Sequence, residues 1–296
     1  MRLGLHALGI GTGARREVID AVAVAADDSG FATLWAGEHV VMVDHPTSRY
    51  PYSDDGRIAV PAVADWLDPM IGLSFAAAAT RRIHIATGIL LLPEHNPVLV
   101  AKQAATLDLM SGGRLTLGVG IGWSEEEFAA LGVPFARRGP RAAEYVAAMR
   151  ALWRDDVASF DGEFVSFDAV RVNPKPVRER RIPIVVGGNS DSALRRAATW
   201  GDGWYGFNLS DAMEVAERID TLRGLCRTIG RDPGELRMAV ALRDVDLGDV
   251  TALAGSGVDE LVLVQAPPDE PSAAADWVRS LADRWLPAID GTDASA

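Results

Sequence analysis

Cysteine and lysine are nearly missing from this 296-residue chain, and each scarcity removes a class of chemistry. A single cysteine, Cys226, leaves no intramolecular disulfide framework and no cysteine-cluster metal site. Lys102 and Lys175 are the only lysines; the other 27 of the 29 basic residues are arginines. Schiff-base catalysis needs a lysine on a strand end or in an apolar pocket. The pattern puts Lys102 on a helix and Lys175 in a loop between two prolines. Basic charge is also in deficit. A formal net charge of -12 with no long basic run excludes nucleic-acid and anionic-membrane partners, which need a basic face to release counterions. No uninterrupted apolar run reaches the roughly 18 residues of a membrane span, and the N-terminal MRLGLHALGIGTG has no small-residue cleavage pattern. The expected location is the cytoplasm. His6, His39, His84 and His95 are scattered singly with no His-x-His, so no metal site is expected. The fourth strand ends in Gly122-Trp123 rather than an acid, against a paired-carboxylate glycosidase.

What remains is apolar material, 48% of the residues, arranged as short β-branched runs alternating with amphipathic stretches. Strands are expected at 2–8, 33–37, 83–91, 115–119, 182–186, 203–207, 236–242 and 260–264. Helices are expected at 14–29, 65–80, 96–110, 144–154, 190–200 and 211–229, near Asp249, and at 272–286. Continuous apolar strands such as IPIVV and ELVLV suit a sheet covered on both faces. About eight β-α units without a composition break predict an α/β fold, a (β/α)8 TIM barrel, in one domain over 1–290. The segment 291–296 reads as a disordered tail. Insertions follow strand 2 (40–64) and strand 4 (123–181), the second containing a hairpin in ASFDGEFVSFDAV.

Catalytic groups of such barrels sit where strands run out into the following loops. Glu38 and His39 leave the second strand there, and histidine's unperturbed pKa of about 6.5 suits proton exchange near neutrality. Gly118, Gly120 and Gly122 keep one mouth position bare, as a flat ring across the barrel requires; a tight strand exit explains them equally. Gly187-Gly188-Asn189-Ser190 opens a helix, where backbone N–H groups attract an anion or Asn189 or Ser190 simply caps. Gly9-x-Gly11-x-x-Ala14 followed by Glu38 also approaches a dinucleotide fingerprint, but that reading predicts an open sheet and a second domain.

The segments QAATLDLMSGGRLTLGVGIGW (103–123), IPIVVGGNS (182–190), AATWGDGW (197–204) and SGFATLWAGEH (29–39) resemble the bacterial-luciferase-like superfamily, nearest its F420-dependent oxidoreductases. The likeness runs to about residue 290. It implies a TIM barrel, usually a homodimer, with F420 or alternatively FMN as two-electron carrier. It implies a small-molecule substrate and a separate flavin or F420 reductase as a partner. His39 matches the histidine beside the reactive carbon in relatives, and Glu38 an acidic neighbour that orients it. Gly88 and Ile89 match a non-proline cis peptide under the ring. Gly120, Gly122, Trp123, Val186, Gly187, Gly188 and Asn189 match cofactor contacts, with Gly187 and Gly188 at the phosphate. Trp123 stands where several dehydrogenases place a proton-donating glutamate. The resemblance implies hydride transfer between F420 and a small organic substrate. The alternatives are an FMN monooxygenase using oxygen, an NAD(P)-dependent dehydrogenase, or a flavin-binding barrel without activity. Arg137, Arg138 and Arg141 are candidate holders of an anionic tail.

Overall fold

The computed structural model describes residues 1–293. In chain order the elements are β1 (Arg2–Leu8), α1 (Arg16–Ser29), β2 (Thr33–Ala36), α2 (Pro69–Ala79), β3 (His84–Thr87), β4 (Leu90–Leu91), α3 (Pro97–Ser111), β5 (Leu115–Gly120), α4 (Glu125–Ala130) and α5 (Arg138–Arg154). They continue with β6 (Ala158–Asp161), β7 (Ser166–Val170), β8 (Ile184–Gly187), α6 (Asp191–Trp200), β9 (Gly203–Leu209), α7 (Ala212–Thr228), β10 (Arg237–Leu242), α8 (Asp249–Ser256), β11 (Glu260–Val264) and α9 (Pro271–Asp293). The parallel order β3-β2-β1-β11-β10-β9-β8-β5 closes through a β3–β5 pairing, giving the eight-stranded (β/α)8 barrel that the rhythm predicts. Among the described residues no helix is long and apolar enough to cross a membrane.

Period-two alternation divides each strand between two cores. On β8, Ile184 and Val186 face the helices, while Val185 joins Trp35, Ala86, Tyr205, Ala239, Ala241 and Val262 inside the barrel. The Trp35 and Tyr205 rings stack with centroids 4.7 Å apart. Beneath them Glu260 is buried, accepting from Trp35 Nε1 (2.8 Å) and Thr33 Oγ1 (3.1 Å), with Arg2 at 3.3 Å.

Four local outcomes depart from the pattern. The expected strand 83–91 is interrupted at Gly88–Ile89, a cis peptide, and resumes only as the short β4. Helix α5 starts at Arg138 rather than 144: Gly139-Pro140 reads as a breaker, but proline is tolerated in a first turn, whose N–H groups have no intrahelical partner. Helix α4 was not expected at all. At the end, α9 carries through 291–293, because Trp285 and Ile289 are buried against the core; the rest of the expected tail, 294–296, lies outside the described residues. The expected hairpin is present as the antiparallel pair β6–β7.

Candidate active site

At the exit of β2, neighbouring residues part company. Trp35 points into the barrel and Ala36 outward, and continued alternation sends Glu38 and His39 to different partners. Glu38 is buried and turns toward the exit of β3, where Oε2 accepts from Leu91 N at 2.6 Å and His95 Nε2 lies 3.0 Å from Oε1. Burial works to lower the His95 pKa, but the hydrogen bond and charge of Glu38 carry it above its ordinary value. His39 Nδ1 meets Glu127 Oε2 at 2.8 Å. The acid that holds His39 is therefore Glu127, and Glu38 belongs to a second pair.

Glu127 arrives from α4. Ser124 caps that helix by accepting from Glu127 N at 3.2 Å, the backbone half of a capping box. The Glu127 side chain does not close the box; its Oε1 accepts from Val40 N (2.7 Å) and Val41 N (3.3 Å) instead. Next to it, Glu126 Oε1 takes Thr47 Oγ1 and N (both 2.6 Å) and Ser48 N (3.0 Å). These donors hold the Glu126 carboxyl well below the usual range, the Thr47 and Ser48 hydroxyls contributing most. Two adjacent glutamates thus fasten the start of the 40–64 insertion. The sequence signal was Ser124-x-x-Glu127 before an apolar residue.

The insertion lays aromatic rings over the mouth. His39 stands edge-on to Trp66 (4.8 Å) and Trp123 (5.7 Å); Tyr50 meets Trp123 (5.3 Å) and Tyr52 (5.4 Å); Tyr52 meets Phe207 (5.4 Å). Trp66 donates Nε1 to Gly37 O at 3.1 Å and walls one side of His39. Asn208 Nδ2 donates to Tyr52 O at 2.7 Å, tying the loop to the exit of β9.

The floor of the mouth is Ile89. A Cβ at Gly187 would stand 2.7 Å from its δ-methyl, and a Cβ at Gly120 would overlap it, so glycine at both positions lets Ile89 lie flat under the opening. Gly88 borders His6, whose Nε2 is buried without a partner; burial brings the His6 pKa down to about 4, so the ring is neutral. Gly188 uses both backbone groups, donating to Tyr205 O (3.3 Å) and accepting from Trp204 Nε1 (2.8 Å). Asn189 is clamped to the backbone of Phe207, and Ser190 caps α6. Val186 faces the helices, so its side chain is remote from the mouth.

Of the three candidate arginines, Arg137 pairs with Glu163 on the surface and Arg141 is spent on the carbonyls of Pro134 and Ala136. Arg138 remains at the mouth, donating to Gly122 O at 3.1 Å and lying over the Phe135 ring. The sequence reading missed its companion, Arg196 of α6. Arg196 Nε is buried without a partner, and its pKa is lowered by burial first and by the Arg138 charge second. A guanidinium atom deprived of water and facing like charge marks a place for an anion. Among the described residues no group of three or more His, Cys, Asp or Glu is placed to hold a metal ion.

A model of the luciferase-like monooxygenase family matches residues 3–245. The chain belongs to that family. This luciferase-like chain is 36% identical over 264 residues to an uncharacterized protein of Mycobacterium tuberculosis, covering 88% of this chain and 92% of that one. It is 29% identical over 230 residues to the FMNH(2)-dependent dimethylsulfone monooxygenase of Pseudomonas putida, covering 72% of this chain and 62% of that enzyme. Among solved structures, an F420-dependent secondary alcohol dehydrogenase in complex with an F420-acetone adduct superposes with a TM-score of 0.77 at 18% identity, covering 97% and 98% of the two chains, a likeness of fold. The chain is an enzyme of the oxidoreductase or monooxygenase type.

Proposed function

We propose that this enzyme transfers hydride between F420 and a small organic substrate, with His39 handling the accompanying proton. The observation that carries the reading is the His39–Glu127 pair at the barrel mouth. With Nδ1 committed to Glu127, Nε2 is the nitrogen left to exchange a proton, and the neighbouring carboxylate balances the charge when it does. The residues fit a deazaflavin: a flat floor on Ile89 between Gly120 and Gly187, a neutral His6 with a free buried nitrogen, and an anion site at Arg138 and Arg196. Bound there, F420 would supply a two-electron carrier for hydride. Its phosphate and glutamate tail present a larger anionic load than the one phosphate of FMN, which suits two neighbouring guanidiniums, one of them with an unpartnered buried nitrogen. Tyr50, Tyr52 and Trp123 would exclude water from the reacting face and contact the substrate.

A second reading, an FMN-dependent monooxygenase supplied with reduced flavin by a separate reductase, is favoured by the dimethylsulfone monooxygenase relative and by Trp123 in place of an acid. Titration with F420, F420H2 and FMN, followed by anaerobic single-turnover reduction or oxidation, separates the two. Tight F420 binding with substrate-dependent hydride transfer supports the first; tighter binding of reduced FMN with oxygen consumption supports the second. We further propose a homodimer through the exposed apolar side chains Ile71, Phe75, Leu99 and Met110 of α2 and α3. Light scattering of wild type and Met110→Glu tests it: a dimer that the substitution dissociates is expected, and a wild-type monomer overturns it.

A further inference from the structure

Glu94 closes the short 3-10 turn Leu92–Glu94 between β4 and α3. Both its carboxyl oxygens are buried and neither has a hydrogen-bond partner, a condition far more costly for an ionised carboxylate than for a neutral acid. Its Oε1 would lie 2.9 Å from a Cβ at Gly122, which seats the carboxyl against the turn leading from β5 into α4. The charged groups that reach it are carboxylates on two other segments, Glu127 from α4 and Glu38 from the exit of β2. Each of these already holds an imidazole, His39 and His95 respectively, and Asp68 also acts on His95. Three buried carboxyl groups are therefore linked by charge, and two of them hold part-buried imidazoles.

The cluster is asymmetric. Glu127 and Glu38 each have a backbone N–H donor and an imidazole partner. Glu94 has none. Burial first, then the charges of Glu127 and Glu38, push its pKa up to about 9.

We propose that Glu94 is a positioning residue for the His39–Glu127 pair: a buried carboxyl group without hydrogen-bond donors, seated against Gly122, that presents Glu127 with a neutral neighbour so that His39 answers to Glu127 alone. The inference rests on the reading of His39 as the group that handles the proton. The event it controls is one ionisation: the Glu94 O–H bond breaks, the proton leaves to solvent, and the electron pair stays on the carboxylate. The added negative charge would then favour the imidazolium form of His39 through Glu127.

The test uses the full-length protein without cofactor. Infrared spectroscopy reads the carbonyl stretch of a protonated carboxylic acid, and NMR of protein labelled with 13C at histidine Cε1 reads His39, assigned with His39→Gln. The expected wild-type spectrum shows a buried protonated carboxyl at pH 7 that fades as pH rises through about 9, with the His39 resonance moving over the same interval. In Glu94→Gln, which keeps the shape and can still donate a hydrogen bond but cannot ionise, both the band and the alkaline movement of His39 are expected to vanish. Glu94→Leu should lose them too, so a folding defect in one variant does not protect the proposal. A wild-type spectrum without the band, or an alkaline movement of His39 that persists in the variants, overturns it. Failure of the hydride-transfer reading shows elsewhere, as unchanged turnover in His39→Ala, and leaves these titrations as they are.

Discussion

Glu127 Oε2 stands 2.8 Å from His39 Nδ1, while Glu38, the residue next to His39 in the chain, holds His95 at 3.0 Å. The two glutamates should therefore fail in different ways. His39→Ala is expected to slow the chemical step by roughly a hundredfold or more, within the usual span for general acid-base catalysis, with cofactor affinity nearly intact. Glu127→Gln should slow it less, since an amide carbonyl still accepts from Nδ1–H. Glu38→Gln should lower thermal stability and leave the step near its wild-type rate. Stopped-flow hydride transfer at saturating cofactor, beside thermal melts, checks all three; an unaltered rate in His39→Ala removes the residue from the mechanism.

Arg196 feels the charge of Arg138 and its Nε has no hydrogen-bond partner, whereas Arg137 is already paired with Glu163. Replacing Arg196 or Arg138 by alanine is expected to weaken F420 binding about tenfold or more, as loss of a charge-assisted contact does. Arg137→Ala should change it little. Calorimetric titration distinguishes the sites, and equal losses at all three positions would point to a diffuse field.

Gly120→Ala drives a methyl group into the Ile89 side chain. The δ-methyl is the movable end, so the expected response is for Ile89 to swing up into the mouth. Stability should fall by about 1 to 3 kcal/mol, the ordinary cost of overpacking, while cofactor binding is lost disproportionately. Gly120→Ala combined with Ile89→Ala should restore binding if space is the cause.

His6 stays neutral in the folded barrel down to about pH 4, while the unfolded chain takes up its proton near 6.5. Between those values the unfolded state binds more protons, so His6 makes stability rise with pH across the window, and the contribution is lost as pH falls to 4. In the limit the swing is roughly 3 kcal/mol. His6→Phe should flatten that part of a plot of urea midpoint against pH.

Glu94 has the opposite sign. Its folded pKa of about 9 lies above the unfolded value of 4.5, so its stabilising contribution is complete below 4.5 and lost as pH rises toward 9. Glu94→Leu should remove this alkaline decline, gaining relative to wild type at pH 8 and little at pH 4. Melting temperatures at the two pH values suffice.

The barrel was legible because alternation and apolar runs are local: IPIVV and ELVLV announce β8 and β11 from five residues each. His39 was legible because strand ends are where such folds place their chemistry. Its partner was not, since Glu127 lies 88 positions away and meets it only after α4 folds back over the loop. Adjacency in sequence suggested Glu38, but extended backbone sends neighbouring side chains opposite ways. Arg196 lies in DSALRRAATW, and its nearness to the first turn of α5 at Arg138 and Gly139 is a long-range fact that Gly139-Pro140, which reads as a breaker, conceals. Glu94 in LLPEHNP reads as an ordinary turn acid, and whether its oxygens find donors is decided by residues far along the chain.

One carboxylate grips both the imidazole and the backbone of Val40 and Val41. Lifting the segment that begins there would strip two N–H donors from Glu127 and leave its charge to be balanced by His39 alone. A raised loop then favours the imidazolium, and a lowered one loosens that hold on the proton. The footing of the 40–64 segment and the charge carried by His39 would thus be joined at a single side chain.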